Sequence, residues 1–160
     1  MLNITLICVG KMREKHYIAA FEEYQKRLTP YCKLEHIELS ETRLGQAPSQ
    51  AEISSGLSKE AAEINRHVPS GAYVIAMCIE GVERSSDELA ELFSKCAGSG
   101  TSRLCFIVGS SYGLDESIKK QANERLSMSK MTFPHHLARV MLAEQIYRAV
   151  MINEGSRYHK

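Results

Sequence analysis

The chain has 160 residues, of which 44% are hydrophobic and 24% are charged, and its formal net charge is +1 at pH 7. This length suits a single domain, and this composition excludes an intrinsically disordered chain. No apolar run reaches the length of about 18 residues that a membrane span needs, and the first residues lack the basic segment and cleavage site of a signal peptide. We therefore expect one domain, residues 1–160, in the cytoplasm.

Strand-like apolar runs alternate along the chain with segments whose apolar residues recur at helical spacing. The predicted strands are Leu2–Val9, Leu34–Leu39, Tyr73–Ile79, Leu104–Val108 and Leu126–Met128. The predicted helices are Lys15–Leu28, Ala51–His67, a helix from Ser85 to Cys96, and Leu137–Ile152. This order predicts an α/β fold whose parallel sheet is covered by helices on both faces, with ligands at the carboxyl ends of the strands.

Neither the cysteines nor the total charge indicates a particular ligand. The five cysteines are scattered without a CxxC pair, so we expect no metal site. Cys8, Cys78 and Cys105 lie inside strand-like apolar runs, where we expect core thiols. Residues 1–100 carry 11 Lys/Arg and 14 Asp/Glu, a net charge of −3, whereas residues 101–160 carry 9 and 5, a net charge of +4. A phosphate-rich partner would meet the C-terminal third, although a solvated surface can carry the same asymmetry by chance.

The stretch FIVGSSYGLDES, residues 106–117, runs from a buried strand through Gly109 and Gly113 towards a helix. Glycine lets a ligand approach the main chain closely. The spacing matches neither the dinucleotide fingerprint nor the P-loop, so a plain strand-to-helix turn is the simpler interpretation of this stretch taken alone.

The following strand leads into Ser129–His136, where Pro134 suits the first turn of a helix. Free amides at a helix start can hold an anion or a purine edge, whereas the methionines here and Phe133 can equally belong to the core. Adjacent histidines point about 100° apart on a helix, so His135 and His136 do not share one site, and their spacing does not suit a metal.

The helix Leu137–Ile152 has almost no polar face, which is typical of a helix buried on nearly all sides. In a chain of this size a second subunit is the expected cover, so we predict a homodimer. Glu144 and Arg148 are four residues apart and can form an ion pair on the surface.

The tail GSRYHK is a segment that can simply be frayed. Yet Arg157, Tyr158, His159 and Lys160 are also a compact set of donors with one stacking ring, the kind that contacts an RNA base and its phosphates.

Three of these stretches together are similar to a known family: VGSSYG, LSMSKMTFPHHLARVMLAEQIYRA and the final YHK. With the opening ITLICVGK and with EYQKRL, they resemble the ribosomal RNA large subunit methyltransferase H family of the SPOUT superfamily over the full chain. The resemblance implies a homodimeric α/β fold with a parallel sheet and a C-terminal trefoil knot, at about residues 103–155. It also implies methylation of N3 of a pseudouridine in 23S rRNA of the large ribosomal subunit, with S-adenosylmethionine as the methyl donor.

The resemblance also assigns a cofactor site. By this likeness, S-adenosylmethionine contacts Met77, Gly109, Met128, Ser129, Lys130, Met131, Thr132 and Phe133. The family usually has a second glycine where this chain has Ser110, which leaves the conformation of the loop open. His135 matches the family pattern and is expected to contact the RNA, whereas the position of His136 varies.

Arg148 and the tail are expected near the target base, with the tail reaching the cofactor of the partner subunit. Methyl transfer needs an in-line attack and the removal or masking of the N3 proton. We hypothesise that Arg148 stabilises negative charge on the base and that Tyr158 stacks on it or donates a hydrogen bond. His159 would accept the proton, a task that water can also perform. Arg157 and Lys160 are expected to bind the RNA.

A weakly charged dimer does not bind isolated RNA strongly through phosphates, so we expect an assembled large subunit or ribosome as substrate. Two other classes stay open. One is a different nucleotide-binding α/β enzyme, which the missing phosphate fingerprints disfavour. The other is a non-catalytic ribosome-assembly factor, against which the intact tail argues.

Overall fold

The computed structural model describes all 160 residues and contains ten regular elements in one five-stranded sheet with surrounding helices. The strands are β1 (Leu2–Val9), β2 (Cys32–Leu39), β3 (Tyr73–Glu83), β4 (Arg103–Val108) and β5 (Glu124–Ser127). The helices are α1 (Lys15–Leu28), α2 (Gln50–His67), α3 (Ser86–Gly98), α4 (Glu116–Gln121) and α5 (His135–Asn153). None of the helices is long and apolar enough to cross a membrane.

The sheet has the strand order β2-β1-β4-β3-β5, and every neighbouring pair is parallel. One core lies between the sheet and α1, α3 and α5, with Phe21, Phe93 and Ile146 among its buried side chains. A smaller core lies on the opposite face and includes Ile64 of α2 and Ile118 of α4. The predicted α/β fold with helices on both faces of a parallel sheet is therefore confirmed.

Two elements differ from the predicted bounds in ways that affect the ligand-binding edge of the sheet. β3 continues to Glu83 instead of ending at Ile79, because it pairs with β5 again after an irregular stretch between Met77 and Val82. α5 begins at His135 instead of Leu137, directly after Pro134. The added residues are Glu80, Gly81, Val82 and Glu83 in β3 and two histidines in α5, which show no apolar periodicity.

The apolar composition of α5 predicts a helix that is buried on nearly all sides, but within one subunit only one side of α5 is fully buried. Its buried side packs on the larger core, through side chains such as Leu142 and Ile146, which are at most 1% exposed. Val140, Met141 and Tyr147 are only partly buried. Cys8 and Cys105 are buried as predicted, and burial raises the pKa of Cys8 to about 12. Cys78 is only partly buried, because it lies where β3 loses its regular pairing with β5, whereas Cys32 and Cys96 are buried as well.

Candidate functional site

A cavity of about 720 Å³ lies at the carboxyl ends of β3, β4 and β5, where ligands bind in parallel α/β sheets. Its walls come from three segments: residues 77–80 of β3, residues 108–114 at the end of β4 and after it, and residues 126–129 and 131–135 at the end of β5 and after it. Lys119 of α4 and Ala138 of α5 complete it. This volume falls within the range of about 300–1,000 Å³ that is usual for small-molecule sites.

The wall after β4 is a tight loop, Gly109–Gly113, which we call the glycine loop. A Cβ at position 109 would collide with the carbonyl oxygen of Gly113, and Gly113 itself has a φ of +82°. The Gly113 amide donates to the Ser110 carbonyl at 2.9 Å and closes the turn. The two glycines are therefore required by the turn itself, and the turn also forms part of the cavity wall.

The wall after β5 is an irregular stretch, Met128–Phe133, with few internal hydrogen bonds. The Met131 amide donates to Ser129 Oγ at 3.0 Å, and Ser127 Oγ donates to the Ser129 carbonyl at 2.9 Å. No other backbone amide of this stretch donates to another group of the chain. Because backbone polar groups require partners, these amides are available to a ligand in the cavity.

Seven of the eight residues predicted to contact the cofactor line this cavity, and the exception is Lys130, which is exposed to solvent outside it. The seven are Met77, Gly109, Met128, Ser129, Met131, Thr132 and Phe133. The structure therefore brings together three segments that are far apart in sequence, although their contacts with a ligand stay a prediction.

The two adjacent histidines point to different surroundings. His135 lines the cavity, and its pKa is lowered by burial and by the neighbouring His136. His136 lies outside the cavity wall, and its Nδ1 is 2.8 Å from Oε2 of Glu14 at the start of α1. The two imidazole rings nevertheless touch edge to face, with centroids 4.2 Å apart, so separate sites for the two histidines stay a prediction.

Arg148 and the tail form a separate group, the tail cluster, which consists of Glu144, Arg148, Tyr158 and His159. Arg148 Nη2 lies 2.6 Å from Glu144 Oε1, which confirms the predicted ion pair, and the Tyr158 hydroxyl donates to the same oxygen at 3.1 Å. The Arg148 guanidinium sits 4.7 Å from the centre of the Tyr158 ring, and its Nη1 is 3.4 Å from His159 Nδ1. The tail is therefore held against α5.

The surroundings of Tyr158 keep its phenol protonated. Burial, followed by the hydrogen bond to the Glu144 carboxylate, raises its pKa to about 12. The phenol can therefore donate a hydrogen bond at neutral pH but does not act as a base. His159 is the other titratable ring of the tail, with Nε2 at 3.5 Å from Oδ2 of Asp87.

The tail cluster does not line the large cavity of its own chain. Glu144 instead borders a second cavity of about 470 Å³, which shares only Leu126, Ser127 and Met128 with the first. Arg157 and Lys160 are exposed to solvent. The structure thus separates the predicted cofactor residues from the predicted catalytic residues within one subunit.

Two charged residues of the large cavity, Glu80 and Lys119, were not predicted from the sequence. Glu80 lies one residue beyond the predicted end of β3, next to Gly81, and Lys119 belongs to the short helix α4. Gly81, two residues beyond the strand-like run, was the available signal, because a glycine in a strand pattern often marks a bulge. Lys119 had no comparable signal.

Known proteins similar to this chain share its full length. The family described as "Predicted SPOUT methyltransferase" matches residues 2–159. The chain is 46% identical over 159 residues to "Ribosomal RNA large subunit methyltransferase H" of Clostridium novyi (strain NT), which covers 99% of this chain and 100% of that protein. The protein of the same name from Latilactobacillus sakei subsp. sakei (strain 23K) is 44% identical with the same coverage.

Solved structures with the same fold are much more distant in sequence. A probable methyltransferase from Bordetella pertussis Tohama I has a TM-score of 0.57 at 12% identity, covering 92% of this chain and 95% of that chain. A probable methylase family protein from Haemophilus influenzae Rd KW20 has a TM-score of 0.52 at 12% identity, covering 99% of this chain and 70% of that chain. At this identity the likeness concerns the fold alone.

Proposed function

Because the chain belongs to the SPOUT methyltransferase family, within its ribosomal RNA large subunit methyltransferase H branch, we propose that it methylates 23S rRNA of the large ribosomal subunit. The proposed target atom is N3 of a pseudouridine, and the proposed methyl donor is S-adenosylmethionine. The observation that carries the proposal is the cavity at the carboxyl ends of β3, β4 and β5, in a chain that matches this family from end to end.

The cavity fits S-adenosylmethionine by its size and by the chemistry of its walls. Apolar side chains, among them Met77, Leu114 and Phe133, offer a dry surface for the adenine ring. The unpaired amides of Met128–Phe133 offer donors for the nucleoside, and the glycine loop presents main chain without a side chain in the way. When bound, the cofactor supplies a methyl group on a positively charged sulfur.

The chain's own residues then have to prepare the base. N3 of pseudouridine carries a proton that must leave before or during attack on the methyl group. Arg148 is fixed by Glu144 and would stabilise the negative charge that develops on the base. Tyr158 stays protonated and would stack on the base or donate to it, while His159 would accept the N3 proton. Arg157, Lys160 and His135 would contact the surrounding RNA.

The proposed active form is a homodimer in which the tail of one subunit meets the cavity of the other. Two observations support it: the tail cluster lies outside the cavity of its own chain, and large apolar side chains are exposed beside that cavity. Ile79 is 56% exposed and Met131 is 73% exposed, and both line the cavity. Family membership further supports a C-terminal trefoil knot at about residues 103–155.

The proposed substrate is the assembled large subunit or ribosome. The net charge of the chain is only +1, so phosphate contacts alone give weak binding to free RNA. Shape complementarity to folded RNA and protein would then supply the specificity. We expect methylation of ribosomal particles and little methylation of a naked hairpin of the same sequence, measured by transfer of a labelled methyl group.

Deletion of Tyr158–Lys160 tests the proposal directly. We expect loss of methyl transfer to ribosomal particles, while calorimetry shows an affinity for S-adenosylmethionine within a few-fold of the intact protein. Mass spectrometry of rRNA from a deletion strain should show one lost methyl-pseudouridine. A truncated protein with normal activity would refute the assigned roles. Binding of NAD or ATP instead of S-adenosylmethionine would favour another nucleotide-binding enzyme, and cofactor binding without any transfer would favour an assembly factor.

A further inference from the structure

The large cavity has only two fully ionised side chains in its wall, Glu80 and Lys119. The Lys119 ammonium lies 2.5 Å from Oε1 of Glu80 and 3.3 Å from Oε1 of Glu116. The remaining wall consists of apolar side chains, hydroxyls, main chain and His135. Any charged part of a ligand in this cavity therefore has one place where both signs of charge are available.

An irregular stretch of β3 brings Glu80 to this place. Met77 and Val82 both pair with Leu126 of β5, so residues 78–81 have no partner of their own on that strand. Such bulges re-aim side chains and are frequent beside functional sites. Gly81 makes the bulge possible, because a Cβ there would lie 2.7 Å from the carbonyl carbon of Leu126.

The environment of Lys119 keeps it charged and in position. Its side chain is only 13% exposed, and this burial opposes the charged form. The hydrogen bonds to Glu80 and Glu116 outweigh that effect, so the pKa of Lys119 is raised above its ordinary value. Glu116 would continue to hold Lys119 if Glu80 turned towards a ligand, and the Glu80 side chain is 50% exposed and free to turn.

We propose that Glu80 and Lys119 bind the amino-acid end of the cofactor. The Glu80 carboxylate accepts from the α-ammonium group, and the Lys119 ammonium donates to the α-carboxylate. This inference rests on the proposed function, because it takes S-adenosylmethionine as the ligand. The adenosine part has no charge, whereas the amino-acid end carries one charge of each sign, so only that end matches the pair. When the ligand binds, the ion pair between Glu80 and Lys119 is replaced by two ion pairs, one from each side chain to the ligand. No buried charge is left unpaired.

Two ligands distinguish binding of the amino-acid end by Glu80 and Lys119 from a general effect of these residues on the shape of the cavity. S-adenosylhomocysteine has the amino-acid end, and 5′-methylthioadenosine has the nucleoside and the sulfur without it. By calorimetry we expect Lys119→Met and Glu80→Gln each to weaken S-adenosylhomocysteine about tenfold or more, as for other charged hydrogen bonds, and 5′-methylthioadenosine by less than about twofold. Lys120→Met is the matched control, because Lys120 is exposed and lines neither cavity.

The experiment distinguishes a variant that does not fold from a variant that folds but binds S-adenosylhomocysteine weakly. Thermal unfolding of each variant without ligand reports folding, and Lys119→Arg keeps the charge and should retain most of the affinity for S-adenosylhomocysteine. An equal loss for both ligands, or no loss for either, would overturn the inference and leave the proposed function intact. A wild-type protein that binds neither S-adenosylmethionine nor S-adenosylhomocysteine would overturn the proposed function itself.

Discussion

Arg139 is the largest side chain that is completely buried, and it connects α5 with the ends of two strands. Its Nη1 donates to Oε2 of Glu38 at 2.8 Å, and its Nη2 donates to the Gly10 carbonyl at 2.9 Å. The same Glu38 oxygen accepts from the Met12 amide at 2.8 Å. Because His135 lies one turn before Arg139, these contacts also fix the first turn of α5 at the cavity wall.

Removal of this guanidinium should destabilise the protein strongly. Arg139→Met removes the guanidinium donors of the Gly10 carbonyl and of the Glu38 carboxylate, which keeps only the Met12 amide, and this costs about 3 kcal/mol. Urea unfolding of wild type and variant measures the difference. Arg66→Met is a suitable control, because the Arg66 side chain is 73% exposed in its ion pair with Glu63 and should change stability by less than about 0.5 kcal/mol. A loss below about 1 kcal/mol for Arg139→Met would contradict the assignment.

His36 lies close to Arg139 and makes stability depend on pH. Burial, followed by the charge of Arg139, lowers the pKa of His36 from 6.5 to about 4. The unfolded chain therefore binds more protons than the folded chain between about pH 6.5 and pH 4, and stability falls as the pH falls through this window. We expect wild type to lose about 2 kcal/mol more than His36→Phe across it. The Nε2 atom of His36 is buried without a partner, so phenylalanine leaves no group unpaired. Parallel stability curves for the two proteins would refute the prediction.

At the scale of elements, the bulge in β3 connects sheet geometry with the cavity. The strand must approach β5 closely at Gly81, since a Cβ there would lie within 2.8 Å of backbone atoms of Arg125 and Leu126. The residue before it, Glu80, lines the cavity. A change in backbone spacing at this glycine therefore moves a side chain of the candidate site.

Gly81→Ala should consequently affect both stability and binding. We expect a loss of about 1–3 kcal/mol in urea unfolding, because backbone atoms of β5 cannot move aside as a flexible side chain can. Calorimetry should show weaker binding of S-adenosylhomocysteine as well. Gly98→Ala is the matched control, because a Cβ there meets nothing within 4 Å and the helix α3 favours alanine. Equal behaviour of the two variants would show that the bulge tolerates a side chain.

Predictability from the sequence also differs between elements. The apolar run at Ile4–Val9 and the capping residues Ser85 and Glu88 determine their elements locally, and both elements were predicted within a few residues. The bulge in β3 was not predictable, because it depends on the pairing with β5. Arg139 was not recognised for the same reason: its burial follows from Glu38, which is 101 residues away in sequence.

At the scale of the whole molecule, the candidate site consists of two groups that one subunit does not bring together. All but one of the predicted cofactor residues line the cavity beside the exposed side chains of Ile79 and Met131, whereas the tail cluster is fixed on α5 by Glu144. The resemblance of the sequence to the methyltransferase family indicated both groups, the first in three separate segments and the second in α5 and the tail. Their separation became visible only in the fold, since it depends on how α5 and the tail pack.

A mixing experiment tests whether two subunits share each site. One variant lacks Tyr158–Lys160, and the other carries Gly109→Ala, whose Cβ would displace Gly113 and deform the glycine loop. Each variant alone should be inactive in methyl transfer to ribosomal particles. After unfolding and refolding together in equal amounts, about half of the dimers pair one subunit of each kind and contain one intact site, so about a quarter of wild-type activity should return. Size-exclusion chromatography of each variant checks that it forms the proposed dimer. If each site instead used the tail of its own chain, no mixed dimer would contain an intact site, and the mixture would stay inactive.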